Sequence, residues 1–111
     1  MGKTILISSV FCSYLMSASM YETIFDGNCG SCHTINDTSS APLLQNVIKK
    51  YKEKYPTKKE FVKALSDWVY KPNKKDSLFP EAIKHYSLMP ELGIDKETLQ
   101  GIAAYLYDRK N

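Results

Sequence analysis

Cys29, Cys32 and His33 are the residues whose types and spacing point most directly to chemistry. In Cys29-Gly30-Ser31-Cys32-His33, two thiols stand three positions apart and an imidazole follows the second. That is the spacing that attaches a c-type haem. The thiols add to the two vinyl groups of the porphyrin as thioethers, and the next residue presents its ring to the iron. Two other chemistries share part of the pattern. Half of a zinc site would need a second pair of cysteine or histidine ligands, and the other histidine, His85, stands alone. A redox dithiol would need a preceding strand within a βαβ pattern, and the sequence offers none.

The elements that must position these residues read as helices. Met20 to Gly27 has Tyr21, Ile24 and Phe25 at helical spacing, and Cys29 to His33 continues or ends that helix in one turn. Thr34 to Ala41 is a loop by composition. Leu43 to Tyr55 repeats apolar residues at Leu44, Val47, Ile48 and Tyr51 with lysines on the other face, and Pro56 ends it. Thr57-Lys58-Lys59-Glu60 is a capping box that starts a helix whose apolar stripe is Phe61, Ala64, Leu65 and Trp68. After the loop Lys71–Lys75, Asp76 to Tyr86 is expected as a short helix with Pro80 in its first turn. Ser87 to Gly93 is a loop that holds Met89. Asp95 is an N-cap, Ile94 can staple onto Leu99, and Leu99, Ile102, Ala103 and Leu106 form the buried face of the last helix. No segment alternates with period two, so the fold class is all-α.

The length of 111 residues suits one small domain with a thin core, in which a large apolar cofactor would supply much of the interior. Residues 1–19 read as a cleaved export signal: Lys3, an apolar run to Met16, then Ser17-Ala18-Ser19. The run is short and carries several serines, against a permanent transmembrane helix, though a retained segment would tether the domain to a membrane. Bulky Phe11 before Cys12 argues against a lipoprotein. Loss of Cys12 with the signal leaves two of three cysteines, both in the haem motif, so the covalent haem is the staple of an exported chain without disulfides. Localisation is therefore expected in the periplasm.

The formal net charge is +3, unevenly spread. Between Lys49 and Lys75 ten lysines face three acids, whereas residues 20–48 carry three acids and no base. Such a face either steers an acidic redox partner or is plain solvated surface. The lysines lack interleaved arginines and the export signal points away from the nucleoid, so nucleic acid is not an expected partner.

An N-terminal helix ending in Cys-x-x-Cys-His, a proline soon after, a methionine in a loop and a closing amphipathic helix together resemble the class I monohaem cytochromes c of the bacterial periplasm. The resemblance covers residues 20–111. It implies a cytochrome c fold of four to five short helices wrapped around one covalent haem c, acting as a one-electron carrier between respiratory redox partners rather than as an enzyme. Carried over, it makes Cys29 and Cys32 the haem-bearing residues and His33 the proximal ligand. Pro42 becomes the residue whose backbone carbonyl accepts a hydrogen bond from the other nitrogen of His33, and Met89 becomes the distal ligand. Phe25 is the aromatic that packs the first helix on the last, where Leu99, Ile102, Ala103 and Tyr105 are candidate partners.

For Met89 the competing role is ordinary core. Met1 and Met16 would leave with the signal and Met20 lies nine residues before Cys29, so Met89 alone is distant enough to approach the opposite face. His85 is its rival, but sits within an expected helix. Trp68 is a candidate for the porphyrin edge, for a propionate, or for plain core. Tyr51, Tyr55, Tyr70 and Lys71 are further candidates for approach to the haem. Tyr21 departs from the small residue that many family members place at the helix crossing, which leaves Ala103 or Gly101 to supply close approach. Two alternative functions follow from the same motif: a haem c subunit or membrane-tethered domain of a larger oxidoreductase, and a ligand-binding cytochrome with an open distal position.

Overall fold

The computed structural model describes residues 20–33 and 40–109; the expected signal, Cys12 and most of the loop after His33 lie outside the described residues. The described residues form five helices: α1 (20–28), α2 (Leu44–Lys54), α3 (Lys58–Tyr70), α4 (Pro80–Tyr86) and α5 (Lys96–Asp108). No helix of the described residues is long and apolar enough to cross a membrane.

The helix starts follow side-chain chemistry. At α3 the Thr57 hydroxyl accepts from the Glu60 amide at 3.2 Å. Glu60 does not reach back to the Thr57 amide; its carboxylate accepts the Thr57 hydroxyl proton instead, at 2.9 Å. At α5 the Asp95 carboxylate accepts from the Thr98 amide at 3.0 Å, and those Thr98 bonds hold Asp95 below the usual carboxylate range. The expected helix from Asp76 is corrected to one from Pro80. Asn73 Oδ1 takes the Asp76 amide at 2.8 Å and Ser77 Oγ takes the Phe79 amide at 3.0 Å, so side chains claim the donors a helix would use. Pro80 also disfavours helical backbone at Phe79 before it, while its own missing N–H costs nothing at the first helical position.

Among α2 to α5, the α3–α5 pair is the most extensively packed, and α2 touches both. Their shared core is Phe61, 0% exposed, with Ile48, Leu65, Ile102, Ala103 and Leu106 around it. Phe61 meets the Tyr107 ring edge-on at 5.2 Å and that of Tyr51 at 6.2 Å, geometries that add to area burial. Asp67 on α3 pairs with Lys63 at 2.8 Å and with Lys96 at the start of α5 at 2.9 Å. Hydrogen bonds from the two lysines hold its carboxyl below the usual range.

α1 lies against α5. Phe25 is buried and tilts onto Tyr105, with centroids 6.4 Å apart. The Tyr21 ring rests on Gly101, where any Cβ would occupy the space of the ring. Gly101, rather than Ala103, therefore gives the large residue its seat. α4 differs from the other helices: it has no buried residue and makes no close backbone contact with α2, α3 or α5.

Candidate functional site

A cleft of about 220 Å³ separates the α2–α3–α5 frame from α4 and the segment 87–93. Carbon dominates its walls: Leu44 and Val47 from α2, Leu65 from α3, Ile83 from α4, and Leu99 and Ile102 from α5. No buried side-chain nitrogen or oxygen among the described residues lacks a partner. Ser66, 1% exposed on the same wall, spends its hydroxyl on the Val62 carbonyl at 2.6 Å.

Cys29, Cys32, His33, Pro42 and Met89 all line this cleft. The first three arrive there because the backbone continues past α1 through one more hydrogen-bonded turn. The Cys29 amide donates to Phe25 O at 2.7 Å and the His33 amide to Cys29 O at 2.9 Å. Both thiols are free, Cys29 buried and Cys32 exposed. Burial, helped by the neighbouring Cys32, pushes the Cys29 thiol up, which keeps it neutral against an apolar wall.

His33 is half-buried and its Nδ1 lies 3.0 Å from the carbonyl oxygen of Pro42. A carbonyl can only accept, so Nδ1 must carry the proton. In the neutral ring Nε2 is then the unprotonated nitrogen, ready to bind a metal, and the ring orientation is fixed by the same bond. Met89, half-buried, reaches the cleft from the chain after α4, together with Leu88 and Pro90.

Other candidates separate clearly. Tyr51 and Trp68 line the cleft; Tyr55, Tyr70 and Lys71 do not. The Trp68 indole N–H is engaged, donating to the Asn73 carbonyl at 3.0 Å. Tyr51 is buried beside Tyr55, and burial first, then Tyr55, pushes its hydroxyl up to about 12. His85 is exposed, set edge-on to Tyr86 at 4.5 Å, and is not among the cleft residues. The described residues hold no group of three or more His, Cys, Asp or Glu able to bind a metal, which leaves a zinc reading of the Cys-x-x-Cys pair without a second half. Sequence reasoning places Phe79, Ile83 and Tyr86 inward without distinguishing cleft from core and does not single out Leu78, because an apolar residue facing a cleft has the same pattern as one facing a core.

The cytochrome c family model matches residues 22–110. The chain belongs to the cytochrome c family. No individual curated protein and no solved structure matches it. As a cytochrome c it is a small haem-based electron-transfer protein with an all-α fold, and its cofactor is covalent haem c. The cleft suits that group on its own evidence. Two free thiols at the correct spacing line it, the His33 ring is oriented by its Nδ1 contact with the Pro42 carbonyl, and the walls are apolar with no orphaned buried polar atom among the described residues.

Proposed function

We propose that this cytochrome c is a periplasmic electron carrier in which Cys29 and Cys32 bind the haem, His33 is the proximal ligand and Met89 the distal one. The observation that carries the reading is the 3.0 Å contact between His33 Nδ1 and the Pro42 carbonyl, in the cleft that Met89 also lines. Haem c supplies reversible uptake of one electron at iron. The chain's part is to hold it: the thiols tether, the Pro42 carbonyl fixes the tautomer and angle of His33, and the Met89 thioether offers a soft donor that favours the reduced state. Apolar walls exclude water and raise the cost of the extra charge on the oxidised form.

Residues 1–19 are the export signal in this reading, and the redox partners are acidic. Lys71, Lys74 and Lys75 are exposed, make no ion pair among the described residues, and lie between Trp68 and Phe79, two residues of the cleft wall. A positive field beside the cofactor speeds encounter with an acidic surface more than it tightens binding.

Potentiometric titration of the haem-loaded protein tests the assignment. A single reversible one-electron wave is expected, and Met89→Ala should lower its midpoint by on the order of 0.1 V, a fraction of the range that axial ligands control. A midpoint unmoved by Met89→Ala would remove Met89 from the ligand set.

A further inference from the structure

Two residues of the described chain have positive φ, and they bracket the methionine: Ser87 at φ 74° and Gly93 at φ 71°. For Gly93 this is ordinary, since glycine takes such angles freely. For Ser87 it is not. With ψ at 170° it occupies a region that is essentially reserved for glycine.

Local packing does not account for that choice. Ser87 is exposed, so no burial holds its side chain. Its amide closes the last turn of α4 on the Ile83 carbonyl at 2.9 Å, a bond that continuing the helix would also make. What the positive φ changes is the direction of the chain that follows. Immediately after it, Leu88, Met89 and Pro90 all line the cleft. Pro90 further confines Met89 to extended backbone, so the direction set at Ser87 is passed directly to the thioether. A disfavoured angle persists only where its surroundings over-determine it, and here the surroundings are the cleft residues Leu88, Met89, Pro90 and Leu92.

We propose that Ser87 is the positioning residue of Met89, and that its glycine-like backbone is strain present while Met89 is engaged in the cleft and released when Met89 leaves. The inference rests on Met89 being the distal ligand. Ser87 thereby weakens the hold of Met89, leaving it displaceable. A glycine at 87 would remove the penalty and tighten the hold; a β-branched residue, for which such angles are hardest, would loosen it.

The test uses the full haem-loaded chain and one probe, imidazole with the ferric protein. The long-wavelength ferric band of sulfur ligation and thermal melting are followed alongside. Ser87→Gly should raise the probe concentration for half-displacement of Met89 by about tenfold, the size of a single disfavoured backbone angle expressed as an equilibrium constant. Ser87→Val should lower it by a similar factor, and Ser87→Ala, which keeps the Cβ, should stay near the parent protein. In a Met89→Ala background these differences should vanish. If Met89→Ala abolishes the band while Ser87→Gly and Ser87→Val both titrate like the parent, Ser87 has no positioning role. The same conclusion follows if the variants change melting alone. If Met89→Ala leaves band and titrations unaltered, it is the ligand assignment that fails, and the inference falls with it.

Discussion

Phe61 on α3 and Ile83 on α4 are both large apolar residues on amphipathic helices, yet they live in different parts of the molecule. Phe61 is 0% exposed and enclosed by rings from α2 and α5; Ile83 is half-buried and faces the cleft. The contrast extends to the elements. α2, α3 and α5 bury their stripes against one another, whereas α4 buries nothing fully and touches none of them closely. The frame's apolar faces meet both one another and the cleft, whereas the apolar residues of α4 meet the cleft alone. Under the proposed assignment, this division puts covalent attachment through Cys29 and Cys32 on the frame side and the Met89 contact on the wall side.

The division can be broken most severely at Phe61. Phe61→Ala should cost about 3–5 kcal/mol of unfolding free energy, read by urea titration, while the ferric spectrum of the folded fraction stays that of the parent. A spectrum altered in step with stability would mean that frame and wall are not separable.

Tyr51 sharpens the comparison because it belongs to both regions, buried in the frame and lining the cleft. Its hydroxyl titrates near 12 in the folded protein against an ordinary 10. A raised value favours the protonated state on folding, so the contribution is complete below pH 10 and lost as pH rises toward 12. Relative to parent, Tyr51→Phe should therefore remove about 2 kcal/mol of the alkaline loss by pH 12. Equal alkaline slopes for the two proteins would place that hydroxyl in water.

The smallest effect is expected where α1 crosses α5. Gly101→Ala gains helix propensity but evicts the Tyr21 ring, so its net sign is a contest. The coupling is not: the substitution should be less favourable by about 1 kcal/mol with Tyr21 present than in a Tyr21→Ala background. A zero coupling in that double-mutant cycle would show that the ring does not rest on Gly101.

The frame was legible in the sequence because its determinants are local. Thr57, Asp95 and the stripes through Leu65 and Ile102 sit within a few residues of the structure they dictate. The motif Cys29 to His33 was legible for the same reason, its chemistry being a spacing. The wall was harder to read. The start of α4 depends on Asn73 and Ser77 taking amides from a helix that composition alone would extend. The angle at Ser87 depends on what lies beyond it, since serine as a residue type gives no hint of positive φ. Trp68 illustrates the limit again, its indole proton going to a backbone carbonyl that no side-chain pattern reveals.

Visible absorption of the haem-loaded protein in ferric and ferrous forms, with and without carbon monoxide, tests the electron-carrier assignment most directly. A six-coordinate low-spin iron with the weak long-wavelength band of sulfur ligation, unresponsive to carbon monoxide at ordinary concentrations, is the predicted result. A high-spin iron that binds carbon monoxide readily would contradict it and place an open distal position opposite His33.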